Sequence, residues 1–492
     1  MKLDTHTQQT TTVFEVESDT AIKLHSNIAD TPGLFLPIPD TNELIWFSER
    51  SGWGHLYLID LANGAIRHPI TSGKWLVRDI LHFDSKTREL FIQTAGRDPE
   101  VNPYYRDVCS VNIDSGKLRS VIDGPYEHIV MQPGGVTAIN NDESRTQWPS
   151  GVSPCGKYIV VTRSRVNTLP ESLLLDRSGR VLISLVTAEM PGLPTDWVWP
   201  QPERLVAADG ETEIDAVVFY PPSFSESKRY PVIHYSNSLI ESSTVPHAAF
   251  ACGMFNGAYF WAAASFAALG FIVVMVEGRG VALRNKAFQD HSYGNFERQS
   301  DVEDRIAAIK QLAAKYSYMD IERVGLTGEE NPSNNGYAAL KHSDFFKVSV
   351  LNCHADPRLI PAILVEHHFD VDDPESMSKQ AYPEDYAALF SGKLLMIVGM
   401  HSPVGVPSTF RLVEALRAEN KDFELLCEPN VPHSITNYSI RREWDFFVRH
   451  LMGSEPPKGF KLETGGVHDN IAVKVSKDNP LEEGVDVNAI PA

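Results

Sequence analysis

The residues with the clearest chemical potential in this chain lie between Val324 and Leu340. An apolar run at residues 324–327 is followed by a polar stretch and then by Gly336, after which apolar residues return. This layout predicts a buried strand, a sharp turn and a helix, and such a turn holds a serine nucleophile in the pattern G-x-S-x-G. Whether the chain is an enzyme therefore depends largely on which residue occupies this turn.

Two registers compete for the nucleophile position. Counting forward from the strand, the pair Gly328-Glu329 leads to Glu330; counting backward from the helix, the pair Gly336-Tyr337 leads to Ser333. Hydroxyl and carboxylate side chains both serve as nucleophiles that form covalent intermediates. A surface turn without chemistry is the third interpretation, and the sequence leaves all three open.

Composition limits the classes of partner. The chain has 492 residues and a formal net charge of −20, which argues against nucleic acid or an anionic membrane surface as the main partner. The five cysteines are scattered without C-x-x-C spacing, and the first ten residues lack the apolar core of a signal peptide. We therefore expect a reduced, cytoplasmic protein without a disulfide framework.

One long uncharged stretch, residues 248–276, is long enough to cross a bilayer. It is interrupted by Gly253, Asn256, Gly257 and Gly270, and it ends in the β-branched run Ile272-Val273-Val274. A packed helix followed by a buried parallel strand fits this pattern better than a membrane span.

The elements that must position the turn follow two different patterns. Residues 1–200 contain short strands separated by turns, and three units share a strand, a second strand ending in Asp, and a glycine turn, as propeller blades do. An irregular β-sandwich is the alternative. From about residue 203, buried strands alternate with amphipathic helices, which predicts a mainly parallel sheet covered on both faces. Strands are predicted at residues 216–219, 231–234, 272–276, 324–327, 348–351 and 394–398, and a helix at residues 301–315.

These patterns predict three regions. Residues 1–200 form a partial β-propeller of about three blades, residues 201–452 form an α/β-hydrolase domain, and residues 453–492 form a polar C-terminal tail. The fold class is thus an α/β hydrolase, with a parallel-rich sheet and helices on both faces, preceded by a partial propeller.

Several stretches resemble the prolyl oligopeptidase (S9) peptidases, most closely their dipeptidyl peptidase IV branch. The resemblance covers about residues 40 to 451 and depends on the stretches WFSERSGW (46–53), HLY (55–57), ADG (208–210), YPP (220–222), KRYPV (228–232), GRG (278–280), AF (287–288), YG (293–294), QSDVEDRIAA (299–308) and GYAAL (336–340). It implies a hydrolase domain with a propeller that screens the site, here holding only the last blades. The strand edges left by a partial propeller imply a homo-oligomer, a partner chain that covers them, or a locally rebuilt structure.

The resemblance assigns a role to each part of a serine-hydrolase site. His433, in the stretch before the final helix, matches the catalytic base, and Ser333 keeps the family's spacing to Gly336-Tyr337. Ser402 stands where the family has its aspartate, in the pattern G-x-x-D-x-x-V-P, and a neutral hydroxyl stabilises an imidazolium less well than a buried carboxylate. Asp356, after the strand predicted at residues 348–351, is the candidate replacement.

Other positions depart from the family pattern. Asn331 and Asn335 replace glycines that flank the nucleophile, and Asn237 stands at the oxyanion tyrosine position, with Tyr235 close by. An asparagine amide can donate to an oxyanion. The tyrosine-rich pocket for proline is not visible in residues 360–369, so proline-directed dipeptidyl cleavage does not carry over.

Histidines cluster at the predicted carboxyl edge of the sheet, where ligands bind in such folds. His354, His401 and His433 each follow a strand or its loop, and we expect His401 and Ser402 to line a remodelled substrate pocket. A metal site built from these histidines with Asp356 or Glu330 is the alternative. The histidines lack a tight metal-binding spacing, so neither a metal nor a cofactor is expected.

Two functional hypotheses follow. The first is a divergent hydrolase of a small amide, ester or short peptide, which uses Ser333 and His433 with a non-standard acid. The second is a catalytically inactive relative that binds a small molecule or a protein partner through the old active-site cleft. The conformation of the loop at residues 329–335 distinguishes the two hypotheses, because only the hydrolase hypothesis requires Ser333 to lie within hydrogen-bond reach of His433.

Overall fold

The structure is a computed structural model, and it describes residues 2–3, 7–24, 33–131, 150–236, 243, 245–250, 257–295, 301–328, 332–354, 356–359, 375 and 379–462. A short N-terminal pair of strands, β1 (Lys2–Leu3) and β2 (Thr10–Thr11), precedes the main sheets.

Three four-stranded antiparallel sheets follow, each with its strands in sequence order. The first contains β3 (Phe35–Ile38), β4 (Glu43–Ser48), β5 (His55–Asp60) and β6 (Ile66–Pro69). The second contains β7 (Leu76–Asp84), β8 (Glu89–Ala95), β9 (Arg106–Asn112) and β10 (Leu118–Ile122). The third contains β11 (Glu127–Ile129), β12 (Tyr158–Arg165), β13 (Thr168–Asp176) and β14 (Val181–Thr187).

These sheets have the form of propeller blades. The three strand pairs predicted from the repeated pattern are β4–β5, β8–β9 and β12–β13, the central pairs of the three sheets. Alternating apolar side chains form one core that joins the first and second sheets, including Phe47 and Ile92, and another that joins the second and third, including Phe91 and Val161. Successive sheets therefore pack face to face, as blades do.

The second half of the chain is built on an eight-stranded sheet in the order β15-β16-β18-β17-β19-β20-β21-β22. Its strands are β15 (Gln201–Val206), β16 (Glu213–Phe219), β17 (Tyr230–Tyr235), β18 (Ile272–Glu277), β19 (Met319–Thr327), β20 (Phe346–Asn352), β21 (Lys393–Gly399) and β22 (Glu424–Glu428). The pairs β15–β16 and β16–β18 are antiparallel, and the remaining pairs are parallel. Each strand predicted in this half lies within an observed strand.

Helices cover both faces of this sheet. The α-helices are α1 (Ala258–Ala268), α2 (Lys286–Asp290), α3 (Val302–Lys315), α4 (Pro332–Lys341), α5 (Gly405–Ala418) and α6 (Asn437–Phe447). Short 3-10 helices span Pro39–Thr41, Pro357–Leu359 and Pro383–Leu389, and a π turn spans Val448–Met452. Side chains of α3, α4 and α5 pack in one core, and side chains of α1 and α6 pack in the other. A propeller region followed by an α/β-hydrolase domain is therefore confirmed as the fold class.

The uncharged stretch at residues 248–276 folds as the packing argument predicted. Its described part contains α1 and β18, and all six residues of β18 are buried, as in a strand with both faces covered. No helix among the described residues is long and apolar enough to cross a membrane. Most of the predicted polar tail, residues 463–492, lies outside the described residues, and the domain boundaries at residues 200 and 452 stay predictions.

Candidate active site

The turn after β19 begins at Gly328, and the backbone of β17 lies directly against it. Gly328 has φ +154°, and a Cβ atom there would lie 1.6 Å from the carbonyl oxygen of Ser236. The Ser236 N–H in turn donates to the Thr327 carbonyl at 2.7 Å. Only glycine allows the two strand ends to approach this closely. The end of β19 is therefore packed closely against the end of β17, while residues 329–331, where the sharp turn is predicted, lie outside the described residues.

The nucleophile register remains open after this turn. Helix α4 begins at Pro332, so Ser333 lies in the first turn of the helix. Glu330 and Asn331 lie outside the described residues, as does Asn237. Ser333 and Glu330 stay predictions as nucleophiles, and Asn237 stays a prediction as oxyanion donor.

Asn335, at a position where the family has glycine, binds the end of β17. Its side chain is buried, and the amide Nδ2 donates to the Ser236 carbonyl at 3.2 Å. The following Gly336 faces His354: a Cβ atom there would lie 3.0 Å from His354 Cε1 and 3.1 Å from Pro383. The Asn335 side chain therefore links α4 to the end of β17 by a hydrogen bond, while Gly336 leaves room for the buried His354 ring.

A buried ion pair supports the same strand end from α3. Asp301 and Arg305 form a salt bridge with both side chains only 1% exposed, and Arg305 Nη1 donates to Ser236 Oγ. Asp301 Oδ2 also accepts from the Gly278 N–H at 2.9 Å. A buried charge is stable only when it is paired and hydrogen-bonded. This network fixes Ser236, the residue before Asn237.

His433 and Ser402 are brought together by the loops that follow β21 and β22. Ser402 Oγ lies 2.9 Å from His433 Nδ1 and accepts from the Gly405 N–H at 2.9 Å. Ser402 is only 2% exposed, so its hydroxyl is held at the start of α5. The hydroxyl occupies the place at Nδ1 where a serine-hydrolase triad has its acid.

The electrostatics at His433 differ from those of a triad with a carboxylate. The residue reaches the surface, but partial burial of its ring lowers the pKa of His433 from its usual value. Among the described residues, no carboxylate forms a hydrogen bond or ion pair with this histidine. The imidazole is therefore a neutral base at pH 7, without an anionic partner to stabilise its charged form.

Asp356, the candidate replacement acid, is paired elsewhere. Its carboxylate forms salt bridges with Arg358 at 2.6 Å and Arg411 at 3.2 Å, and it is 3% exposed. Arg358 also pairs with Glu384 and lies 3.8 Å from the centre of the Tyr382 ring. The structure therefore places Asp356 in an arginine network and gives it no hydrogen bond to His433 within the described part of the chain.

The other predicted site residues do not lie in one common environment. Tyr235 is 3% exposed, and its ring centre lies 6.1 Å from that of Phe266 in the core beneath α1. His401 is exposed, and its backbone N–H donates to the Val431 carbonyl at 2.9 Å. Residues 360–369, the predicted pocket segment, lie outside the described residues. Within the ranges described, no three His, Cys, Asp or Glu side chains are arranged to hold a metal ion.

A second buried network was not predicted from the sequence. Glu443 of α6 is 5% exposed; it accepts from Thr327 Oγ1 at the end of β19 and from Asn352 Nδ2 at 3.2 Å at the end of β20. The signal that could have found it is a glutamate that interrupts the apolar face of the last helix. Glu443 fastens α6 to the two strands that carry the predicted nucleophile turn and His354.

Comparison with known proteins gives a consistent result for both halves of the chain. The model of the "Prolyl oligopeptidase family" matches residues 257–454, and the model of the "Dipeptidyl peptidase IV (DPP IV) N-terminal region" matches residues 1–168. Human dipeptidyl peptidase 8 is 26% identical over 365 residues, which cover 69% of this chain and 38% of the relative. A probable dipeptidyl peptidase 4 of Aspergillus fumigatus is 25% identical over 59% of this chain and 35% of the relative.

Solved structures show the same fold. A putative dipeptidyl aminopeptidase IV of Bacteroides ovatus superposes with a TM-score of 0.68 at 21% identity, over 85% of this chain and 58% of that chain. Dipeptidyl peptidase 4 of Porphyromonas gingivalis superposes with a TM-score of 0.66 at 20% identity, over 85% and 56%. The chain thus spans 35–58% of the length of these four proteins.

Proposed function

The chain belongs to the prolyl oligopeptidase family of hydrolases, in its dipeptidyl peptidase IV-like branch, and from that premise we propose that it is a divergent serine hydrolase. The proposed substrates are small amides, esters or short peptides. Ser333 is the nucleophile, His433 is the base, and Ser402 replaces the acid that orients the base.

One observation carries this proposal, the 2.9 Å hydrogen bond between Ser402 Oγ and His433 Nδ1. Because Ser402 Oγ already accepts from Gly405 N–H, it keeps one lone pair to accept from Nδ1–H. This arrangement leaves Nε2 unprotonated, as a general base requires. Nε2 takes the Ser333 proton as Oγ attacks the carbonyl carbon, and returns it to the leaving group. Asn237, the residue after Ser236 in the sequence, donates to the oxyanion in this proposal.

A specific observation also favours the alternative, a catalytically inactive protein that binds a ligand through the same cleft. Ser402 orients the imidazole but brings no charge, and Asp356 is engaged by Arg358 and Arg411. A triad without its carboxylate loses much of its rate. In this alternative the cleft binds a small molecule or a peptide, and Glu330 and Ser333 have no covalent role.

Labelling with a fluorophosphonate probe tests the proposal. Wild type should be labelled, and both Ser333→Ala and His433→Ala should reduce labelling by at least about 100-fold, because each removes one member of the nucleophile–base pair. Intact-mass spectrometry gives the extent of labelling, and Ser454→Ala is the control, since Ser454 is an exposed serine with no proposed role at the site. A folded wild type that stays unlabelled would favour the binding alternative.

We also propose that a second copy or a partner chain covers the edge of the third propeller sheet. Strand β14 is an edge strand, and Val181, Ile183, Leu185 and Val186 on it are 41–60% exposed. Exposed apolar edges favour association. Light scattering should therefore give a mass above that of one chain, and Val186→Lys should lower it, whereas Val160→Lys on β12 should not. If the wild-type protein purified alone is entirely monomeric, self-association is excluded, and only a different partner chain could cover this edge.

A further inference from the structure

A cavity of about 210 Å³ lies in the propeller region, and neither Ser402 nor His433 lines it. Its wall is formed by Asp107 of β9 together with the connections between β8 and β9 and between β10 and β11, which contribute Gly96, Arg97, Asp98, Val101, Asn102, Tyr105, Asp123 and Gly124. The wall carries three carboxylates and one guanidinium. Its charge therefore favours a cationic occupant.

Asp107 is the most buried carboxylate in this wall. Its side chain is 12% exposed, and among the described residues its carboxylate makes no hydrogen bond. His128 Nδ1 lies 3.9 Å away, but that nitrogen is bound to the Arg106 carbonyl at 2.8 Å, and burial lowers the pKa of His128. A buried carboxylate without a hydrogen bond or counter-ion is costly, so Asp107 is a ready acceptor for a ligand.

The arginine in the wall does not neutralise Asp107. Arg97 Nη1 is directed to Cys109 Sγ at 2.9 Å and to Ser120 Oγ at 3.5 Å. It forms no salt bridge within 4 Å to a carboxylate of the described residues. Asp98 and Asp123 are exposed at the rim, where Asp123 accepts from Ser120 Oγ at 2.6 Å. The net charge of the wall therefore remains negative around its deepest carboxylate.

We propose that this cavity binds a small organic cation with a primary ammonium group, and that Asp107 is its buried counter-ion. An ammonium has three donors, which suit the Asp107 carboxylate together with rim oxygens of Asp98 or Asp123. A metal ion fits less well, because the described residues contain no group of three or more metal-binding side chains. This site is independent of the proposed hydrolase chemistry.

The affinity of such a ligand should depend on pH. Burial raises the pKa of Asp107 to about 7; Arg97 opposes this rise, and Asp123, Glu127 and Asp98 add to it. The ammonium binds the charged carboxylate, which is lost below that pKa, so affinity should rise as pH increases from 6 to 8. The ammonium itself stays charged over this range, since an alkylammonium titrates near pH ~10.

Isothermal titration calorimetry with n-butylamine tests the proposal, with n-butanol as the uncharged ligand of equal length. We expect wild type to bind the amine and not the alcohol. Asp107→Asn should weaken amine binding by at least about 10-fold and abolish its rise between pH 6 and 8. Asp123→Asn, a second variant at the exposed rim, should weaken it less.

Glu100→Gln is the matched control, because it removes the same charge from an exposed neighbour that does not line the cavity. It should leave binding within about twofold of wild type, as expected for a screened surface charge. Equal loss in Asp107→Asn and Glu100→Gln would overturn the proposal, since binding would then reflect net charge alone. Absence of amine binding by wild type, or binding of Ca²⁺ alone in its place, would also overturn it.

Discussion

Replacing Ser402 with aspartate should increase the rate of fluorophosphonate labelling by about 100-fold or more. The 2.9 Å contact with His433 Nδ1 means that a carboxylate at this position would accept the same hydrogen bond and add a negative charge beside the imidazole. The Gly405 N–H already points at this position, and it belongs to the first residue of α5. The positive end of a helix dipole favours an anion there.

The same substitution should change the pH profile in a defined direction. In wild type, burial lowers the pKa of His433, so the neutral base should persist below pH ~6.5, the usual histidine value. A carboxylate at position 402 stabilises the imidazolium and raises this pKa, so the acidic limb of the rate profile should move to higher pH. Ser402→Asn, similar in size but uncharged, should give neither effect.

Three further outcomes of this experiment bear on the identity of the nucleophile. Labelling of Ser402→Asp should disappear when Ser333→Ala is added, if Ser333 is the residue activated by His433. If the folded Ser402→Asp variant gains no labelling, His433 has no nucleophile within reach, and the binding alternative becomes the better account. Persistence of labelling in the double variant would instead indicate that a hydroxyl other than that of Ser333 is the nucleophile.

The main elements around this site were predictable because their signals are local. Residues 272–276 and 394–398 are continuous apolar runs, which in an α/β protein indicate strands buried on both faces. Side chains along β17 also alternate between the two faces of the sheet. Ile233 and Tyr235 pack in the core beneath α1, while Val232 packs in the core on the opposite face. That alternation could have placed Tyr235 in the core before the structure was known.

The polar networks were not predictable, because they join residues that are distant in sequence. Glu443 binds the ends of β19 and β20 only because the sheet order places these strands side by side. Asp356 followed a strand as expected, but Arg411 reaches it from α5, and no local pattern indicates that pairing. A catalytic acid and a structural ion pair therefore look alike in the sequence.

Arg305→Met should lower the free energy of unfolding by about 3 to 5 kcal/mol, the usual loss when one partner of a buried ion pair is removed. Arg305 and Asp301 are both 1% exposed at their side chains, so the variant leaves a buried carboxylate with the Gly278 N–H as a remaining donor. It also removes the donor to Ser236 Oγ. Urea unfolding measures the loss, and Lys310→Met, an exposed position on the same helix, should change stability by no more than about 1 kcal/mol.

A double variant separates the unpaired charge from lost packing. Asp301→Asn/Arg305→Met removes both charges, so it should be more stable than Arg305→Met, because no uncompensated charge remains buried. If the double variant is instead less stable than wild type by the sum of the losses of Asp301→Asn and Arg305→Met, the two residues act independently and the ion pair is not the stabilising unit. In the hydrolase proposal, both variants should also reduce labelling, since they disturb Ser236, the residue before the proposed oxyanion donor Asn237. In the binding alternative, they should alter stability alone.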